Sequence, residues 1–211
     1  TVVPSNNVAE HMGGRKSFTD LTATVTFEDG ATRAMQTDSR VAFDVSDSCG
    51  TFAEESGTMR LTISPTCRTS TVVVSVSATI GGVTVASTST FSVEWLASVE
   101  LRVYYQDAST LYTSSDLYHR YACSTPAPSF HSLKVKTFGT LSSGDTAWVN
   151  VGASYTVTGA SLSSSGGTRT LTVSSAGLVD IIVAASPNPD GITNQRTLTA
   201  KASPDSYDFQ W

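Results

Sequence analysis

Leu21-Thr-Ala-Thr-Val-Thr-Phe27 alternates apolar and polar residues along its whole length. Leu21, Ala23, Val25 and Phe27 fall on one side and three threonines on the other, the period-two pattern of a half-buried strand. Glu28-Asp-Gly30 follows as a turn. Outward from this stretch the pattern recurs. Val41, Phe43 and Val45 alternate, as do Leu61 and Ile63, and Val72–Ile80 is the longest strand-like run. Gly81-Gly82 turns that run back into Val83–Val93, a strong hairpin signal because both glycines accept the positive φ of a tight turn. Further on, Val99, Leu101, Val103 and Tyr105 share one face, and Tyr155–Thr158, Thr170–Ser174, Leu178–Ala185 and Thr197–Lys201 read as strands. No helical pattern lies between the strands, which excludes parallel βα units. Short, evenly spaced strands separated by Gly, Ser and Asp predict an all-β chain of sandwiches, with a β-barrel as the other candidate.

The chain also reads as a repeat. Val25-Thr-Phe-Glu-Asp-Gly-Ala-Thr-Arg-Ala-Met-Gln-Thr-Asp38 aligns without a gap on Val103-Tyr-Tyr-Gln-Asp-Ala-Ser-Thr-Leu-Tyr-Thr-Ser-Ser-Asp116, and Gly57–Ile63 aligns on Gly167–Val173. Val93-Glu-Trp95 resembles Phe209-Gln-Trp211. Internal repeats of this kind indicate stacked modules. The expected division is a linker or the end of a preceding module over 1–16, one module over 17–95 and a second over 96–211. The spacing between matched blocks is larger in the second copy, which predicts an insertion over roughly 117–151. Trp95 and Leu96 fall at the expected junction, with no Gly/Pro/Ser spacer, and are expected to join the modules tightly.

Composition narrows the function. Only 15% of the 211 residues are charged and the net charge is −5, with no Lys/Arg cluster, which argues against a nucleic-acid partner. No apolar run is long enough for a transmembrane helix. A chain that begins at Thr1 and ends on a repeat signature reads as a piece of a longer protein. The three cysteines are Cys49, Cys67 and Cys123. Cys49 and Cys67 flank one strand of the first module, so a disulfide between them is expected, with Cys123 unpaired in this fragment; reduced thiols in an intracellular protein are the other reading. No CxxC spacing or Cys/His cluster supports a metal site.

These features together resemble the bacterial immunoglobulin-like domain, group 2, of invasin- and intimin-like adhesins. The run that carries the resemblance is a strand, Glu28-Asp-Gly30, Val41-x-Phe43-x-Val45, Gly57-x-x-x-Leu61-x-Ile63, the Val-rich strand, Gly81-Gly82-Val83 and a Thr-rich last strand. Phe43 stands where the family usually has Trp or an aliphatic residue, and paired cysteines are not typical of it. The resemblance implies tandem immunoglobulin-like β-sandwich domains acting outside the cell.

Catalytic signals are lacking. His11, His119 and His131 adjoin no nucleophile motif, and there is no Gly-x-Ser-x-Gly elbow. The expectation is therefore no enzyme and no cofactor. The expected function is a structural or adhesive array, whose partners are neighbouring modules, other copies of the protein, a glycan or a surface receptor. The insertion is the expected contact surface, at Tyr118, Tyr121, Cys123, Leu133, Val135 and Phe138, because an added edge strand exposes unpaired backbone groups. The alternative is a carbohydrate- or ligand-binding module of a secreted protein, using Tyr104, Tyr112, Tyr118 and Tyr121.

Overall fold

A computed structural model describes residues 1–4, 7–10, 12–120, 129–149, 152–165, 168–186 and 190–201. The chain divides into two compact units, Thr1–Ala97 with Leu141–Asp145, and Ser98–Thr140 with Thr146–Trp211.

The first unit contains β1 (Phe18–Leu21), β2 (Thr24–Thr26), β3 (Thr32–Ala34), β4 (Val41–Val45), β5 (Gly50–Glu55), β6 (Thr58–Ile63), β7 (Thr71–Ile80) and β8 (Val83–Ser92). One sheet has the order β1-β6-β5 and another β4-β7-β8, with β2 and β3 forming a separate hairpin. The alternation seen in the sequence is what lets each sheet turn one face inward. Leu61 and Ile63 of β6, Val72 and Val74 of β7, Leu21 and Val93 share one buried cluster. Phe43 of the β4 sheet and Phe52 of the β5 sheet meet across the sandwich at 5.6 Å between ring centroids.

The second unit contains β9 (Leu96–Tyr104), β10 (Asp116–Arg120), β11 (Ser129–Phe130), β12 (Leu133–Leu141), β13 (Thr146–Val149), β14 (Ala153–Thr158), β15 (Ser161–Ser165), β16 (Thr168–Thr172), β17 (Gly177–Ala185) and β18 (Thr193–Lys201). Its sheets run β13-β12-β16-β15, with β9 also on β12, and β11-β10-β18-β17-β14.

The two units are wired alike. In each, the second, fourth and fifth strands of the immunoglobulin order make one sheet, and the third, sixth and seventh make the other. Thus β1-β6-β5 corresponds to β12-β16-β15, and β4-β7-β8 to β14-β17-β18. Both also add a parallel contact to the last strand. Val2 bridges Val93, and Leu117 of β10 pairs with Ala200 of β18. The chain is an all-β protein of two immunoglobulin-like sandwiches.

This wiring corrects the repeat alignment. Val103–Asp116 is not the counterpart of Val25–Asp38; it spans the end of β9, a loop closed by a Tyr104–Leu111 bridge, and the start of β10. The counterpart of the Phe27 turn is the Leu141 turn. Phe27 N–H donates to Ala31 O and Gly30 N–H to Phe27 O, and Leu141 N–H and Gly144 N–H do the same to Asp145 O and Leu141 O, all at 2.9 Å. Gly30 and Gly144 both take positive φ, 83° and 91°. Short Thr/Val-rich stretches match one another by composition, whereas these turn bonds identify the position in the fold.

Two expected boundaries change with it. Residues 1–16 are no simple linker, because Val2 and Val3 are buried in the first unit and Val2 N–H donates to Ser92 O at 2.9 Å. The segment 117–151 is no insertion, because its described residues hold β10, β11, β12 and β13, and β12 and β13 correspond to β1–β2 and β3.

Cys49 and Cys67 form a disulfide with Cα atoms 5.0 Å apart. It ties the start of β5 to the chain just after β6, at the open end of that hairpin, where Ser64 N–H donates to Cys49 O at 2.8 Å. Cys123 lies outside the described residues.

Replacing both cysteines with alanine is expected to destabilise the first unit by about 3 kcal/mol, read as a lower urea midpoint, since the bridge closes a loop of 18 residues. Gly159→Ala is expected to cost the second unit about 1–3 kcal/mol in the same measurement. Gly159 has φ +76°, and a Cβ there would lie 2.1 Å from the Leu178 carbonyl oxygen.

Candidate functional site

The candidate site follows from which strand faces are covered. Residues directly opposite in an antiparallel pair share a face. On β7, Val72, Val74 and Ala78 are buried, so their partners Phe91, Ser89 and Val85 on β8 face the same way. Yet Val85 is 48% exposed, and Ser87 and Ser89 are exposed as well. The inner face of β8 lines an open groove of about 400 Å³ instead of a packed core. Its other wall is Thr22–Thr26, the segment carrying β2, and its floor includes Val76 and Ala78. Every lining side chain is Thr, Ala, Val or Ser, so the groove is uncharged. Among the described residues β2 pairs only with β3, which leaves its other edge without a strand partner.

The second unit fills the same position. Phe43 stands opposite Val76 and Tyr155 opposite Val183, so Val76 and Val183 occupy equivalent places; Val183 is fully buried. Beside it runs β9, whose Val99, Leu101 and Val103 are buried and whose Leu101 is bonded to Asn194, the residue opposite Val183. β9 pairs with β12, the counterpart of β1–β2. Cations clamp the pair, with the Arg102 guanidinium 4.2 Å from the Phe138 ring and Lys136 Nζ 4.7 Å from the Tyr104 ring. The residues opposite Val183 and Ile181 are Asn194 and Arg196, where the first unit has Ser87 and Ser89 opposite Val76 and Val74. Leu101 N–H donates to Asn194 Oδ1 at 3.0 Å. Arg196 Nη2 donates to the carbonyls of Thr113 and Ser114 at 3.1 and 3.0 Å, fastening the connection that leads to β10.

That connection carries the Asp107 carboxyl, one of several depressed carboxyls in the chain. Hydrogen bonds from Thr110, through its hydroxyl at 2.7 Å and its backbone N–H at 3.1 Å, and then from Ser109 N–H, hold it at about 2, below its ordinary 3.8.

The residues singled out in the sequence fall in different places. Leu133 and Val135 are buried in the core of the second unit, and Phe138 is half-buried under Arg102, so the expected contact surface is corrected at these three positions. Their strand, β12, is an interior strand rather than an added edge. Tyr118 is on the surface, its hydroxyl donating to Asp116 at 3.3 Å with Lys201 beside its ring. Tyr121 lies outside the described residues. Tyr104 is half-buried, and Tyr112 is buried with its hydroxyl donating to the Asp116 carbonyl and its ring edge-on to Tyr105. The described tyrosines among these do not make one exposed aromatic face. Trp95 is half-buried; its N–H donates to Ser142 Oγ at 3.2 Å and its carbonyl accepts from Ser142 N–H at 2.8 Å, both within the first unit, and Leu96 is buried. Among the described residues no group of three or more His, Cys, Asp or Glu is gathered to hold a metal ion. Among the described residues no helix is long and apolar enough to cross a membrane. The groove was missed in the sequence, although Ser87 and Ser89 on a face shared with Val74 and Val76 are its trace.

No protein-family model matches the sequence, and no curated protein is similar to it at a significant level. Solved structures give distant likenesses. A titin tandem of immunoglobulin domains is 11% identical, with 89% of each chain covered and a TM-score of 0.29. A second titin fragment is 13% identical over 89% of this chain and 91% of that one, at 0.29. An endo-fucoidan hydrolase of glycoside hydrolase family 107 is 10% identical at 0.32; this chain covers 96% of its own length but 27% of the hydrolase's. The architecture rests on the strand order described above.

Asn194→Ala is expected to cost the second unit about 1–3 kcal/mol, because it strands the partly buried Leu101 N–H. Faster amide exchange at Leu101 than at Ile181 in the variant is the local readout. For Asp107 the folded value is depressed, so its contribution to stability is present above pH 3.8 and is lost as pH falls through about 2. Carbon-detected NMR titration is expected to give a midpoint near 2, and Thr110→Val is expected to move that midpoint upward.

Proposed function

We propose that this chain is a non-enzymatic part of an extracellular structural or adhesive array, its units acting as spacers and assembly surfaces in a larger surface or filament-forming protein. The observation that carries the reading is the repetition of one sandwich wiring in both units. Modules in series, each with its own core, suit a stalk or filament wall, because each unit folds around local contacts and adds length. The Cys49–Cys67 bridge in the core of the first unit supports an oxidising compartment. The resemblance to bacterial immunoglobulin-like modules of group 2 supports the same setting. The partners in this reading are neighbouring modules or other copies of the protein. Among the described members of the contact set read from the sequence, Tyr118 is the exposed one, at 37%.

An antibody raised against the 211-residue chain tests the location. Staining of intact, unpermeabilised source cells, together with a Cys49–Cys67 peptide pair recovered after alkylation under non-reducing conditions, is the expected result. Staining only after permeabilisation, with both thiols alkylated, overturns the extracellular reading.

A further inference from the structure

We infer that the groove of the first unit is an acceptor site for an extended β-strand that the described residues do not supply. The juxtaposition that assigns it is the β2 edge over Thr22–Thr26 beside the inner face of β8, where the second unit has β9 paired on the equivalent edge and bonded to Asn194.

The occupant's chemistry follows from the walls. A strand lying along β2 meets a row of backbone donors and acceptors on its free edge, and main-chain hydrogen bonding to such an edge is how strand addition gains affinity. Its inward side chains meet Val76, Ala78, Val85 and Ser87. No charged residue lines the space, so a charged inward side chain would be desolvated without a partner. The acceptor therefore selects an extended segment with uncharged, mostly apolar residues at every second position. β9 has that pattern, with Val99, Leu101 and Val103 inward and Glu100 and Arg102 outward, paired with each other at 2.6 Å.

The two units differ in how the strand is held. In the second, Asn194 and Arg196 reach β9 and the chain that follows it. In the first, serines stand at those positions, so the groove contributes an apolar floor and a backbone edge without side-chain clamps. Such a site takes a strand reversibly, and by sequence pattern rather than by one specific residue. It is also the place on the first unit where an unpaired edge adjoins uncovered apolar surface, the combination that invites another chain. The inference concerns the first unit alone and does not depend on the location argued above.

The test uses the intact 211-residue chain and a synthetic peptide with the β9 sequence, Leu96–Tyr104, against a scrambled peptide of the same composition. Expected are saturable binding of the β9 peptide, no binding of the scramble, and about tenfold slower hydrogen exchange at the β2 amides directed away from β3. Val85→Glu, on the exposed groove wall, is expected to abolish binding, while Thr88→Glu, on the outer face of β8, leaves it intact. Both side chains are exposed, so both variants are expected to fold, and near-native circular dichroism verifies this. Three results overturn the proposal. One is absence of saturable binding. Another is equal binding by the Val85→Glu chain. The third is full protection of the same amides before any peptide is added, whether the chain is monomeric or self-associated by sedimentation.

Discussion

Each unit depends on covering the inner face of one long, valine-rich strand. In the first unit this is β7, with Val72, Val74, Val76 and Ala78; in the second it is β17, with Val179, Ile181, Val183 and Ala185. Burying such a side chain fully gains about 1.5–3 kcal/mol, so the stripe dominates the local energetics. The opposing sheet covers one end of it in both units, through Leu61 and Ile63 in one and Leu171 and Val173 in the other. The far end needs a further strand. β9 supplies it in the second unit, and there Val183 is sealed; in the first unit Val76 stays half-buried and Val85 faces the open groove.

The units compensate for their small cores differently. The first carries a covalent tie at the open end of the β5–β6 hairpin, where the strands would otherwise fray, and its cysteines join the apolar cluster. The second carries no counterpart, since Gly159 and Gly177 stand at the aligned positions. It is instead laced by polar contacts around β9, from Asn194, Arg196 and Lys136, whose Nζ donates to the Ala108 carbonyl at 2.7 Å. One unit is held by a bond that requires oxidation, the other by a strand that its own sequence provides.

This difference shapes what each unit offers to other molecules. An immunoglobulin-like sandwich with all its strands in place presents mainly loops and polar outer faces. A sandwich with an uncovered inner face presents backbone and apolar surface together. In an array of modules that distinction would separate a spacer from a site of assembly, and the uncovered inner face belongs to the first unit.

The alternation of Leu21–Phe27, the Gly81-Gly82 turn and the run Val72–Ile80 determined by themselves that the chain is all-β and built of sandwiches, because period-two burial is a local property of a strand. The cysteine spacing likewise picked out the pair that bonds, since Cys49 and Cys67 flank a single hairpin. Register between modules was not legible. Val25–Asp38 matched Val103–Asp116 by composition alone, and only the paired hydrogen bonds at the Phe27 and Leu141 turns located the true counterpart. Whether Leu133 and Val135 line an edge or an interior strand also depended on which strands flank β12, which no local pattern encodes. The groove is the clearest case. Val76 and Val183 occupy the same place in similar apolar stripes, Val72-x-Val74-x-Val76-x-Ala78 and Val179-x-Ile181-x-Val183-x-Ala185, yet one is half-buried and the other fully buried, a difference that depends on which distant strands lie beside them once the chain has folded.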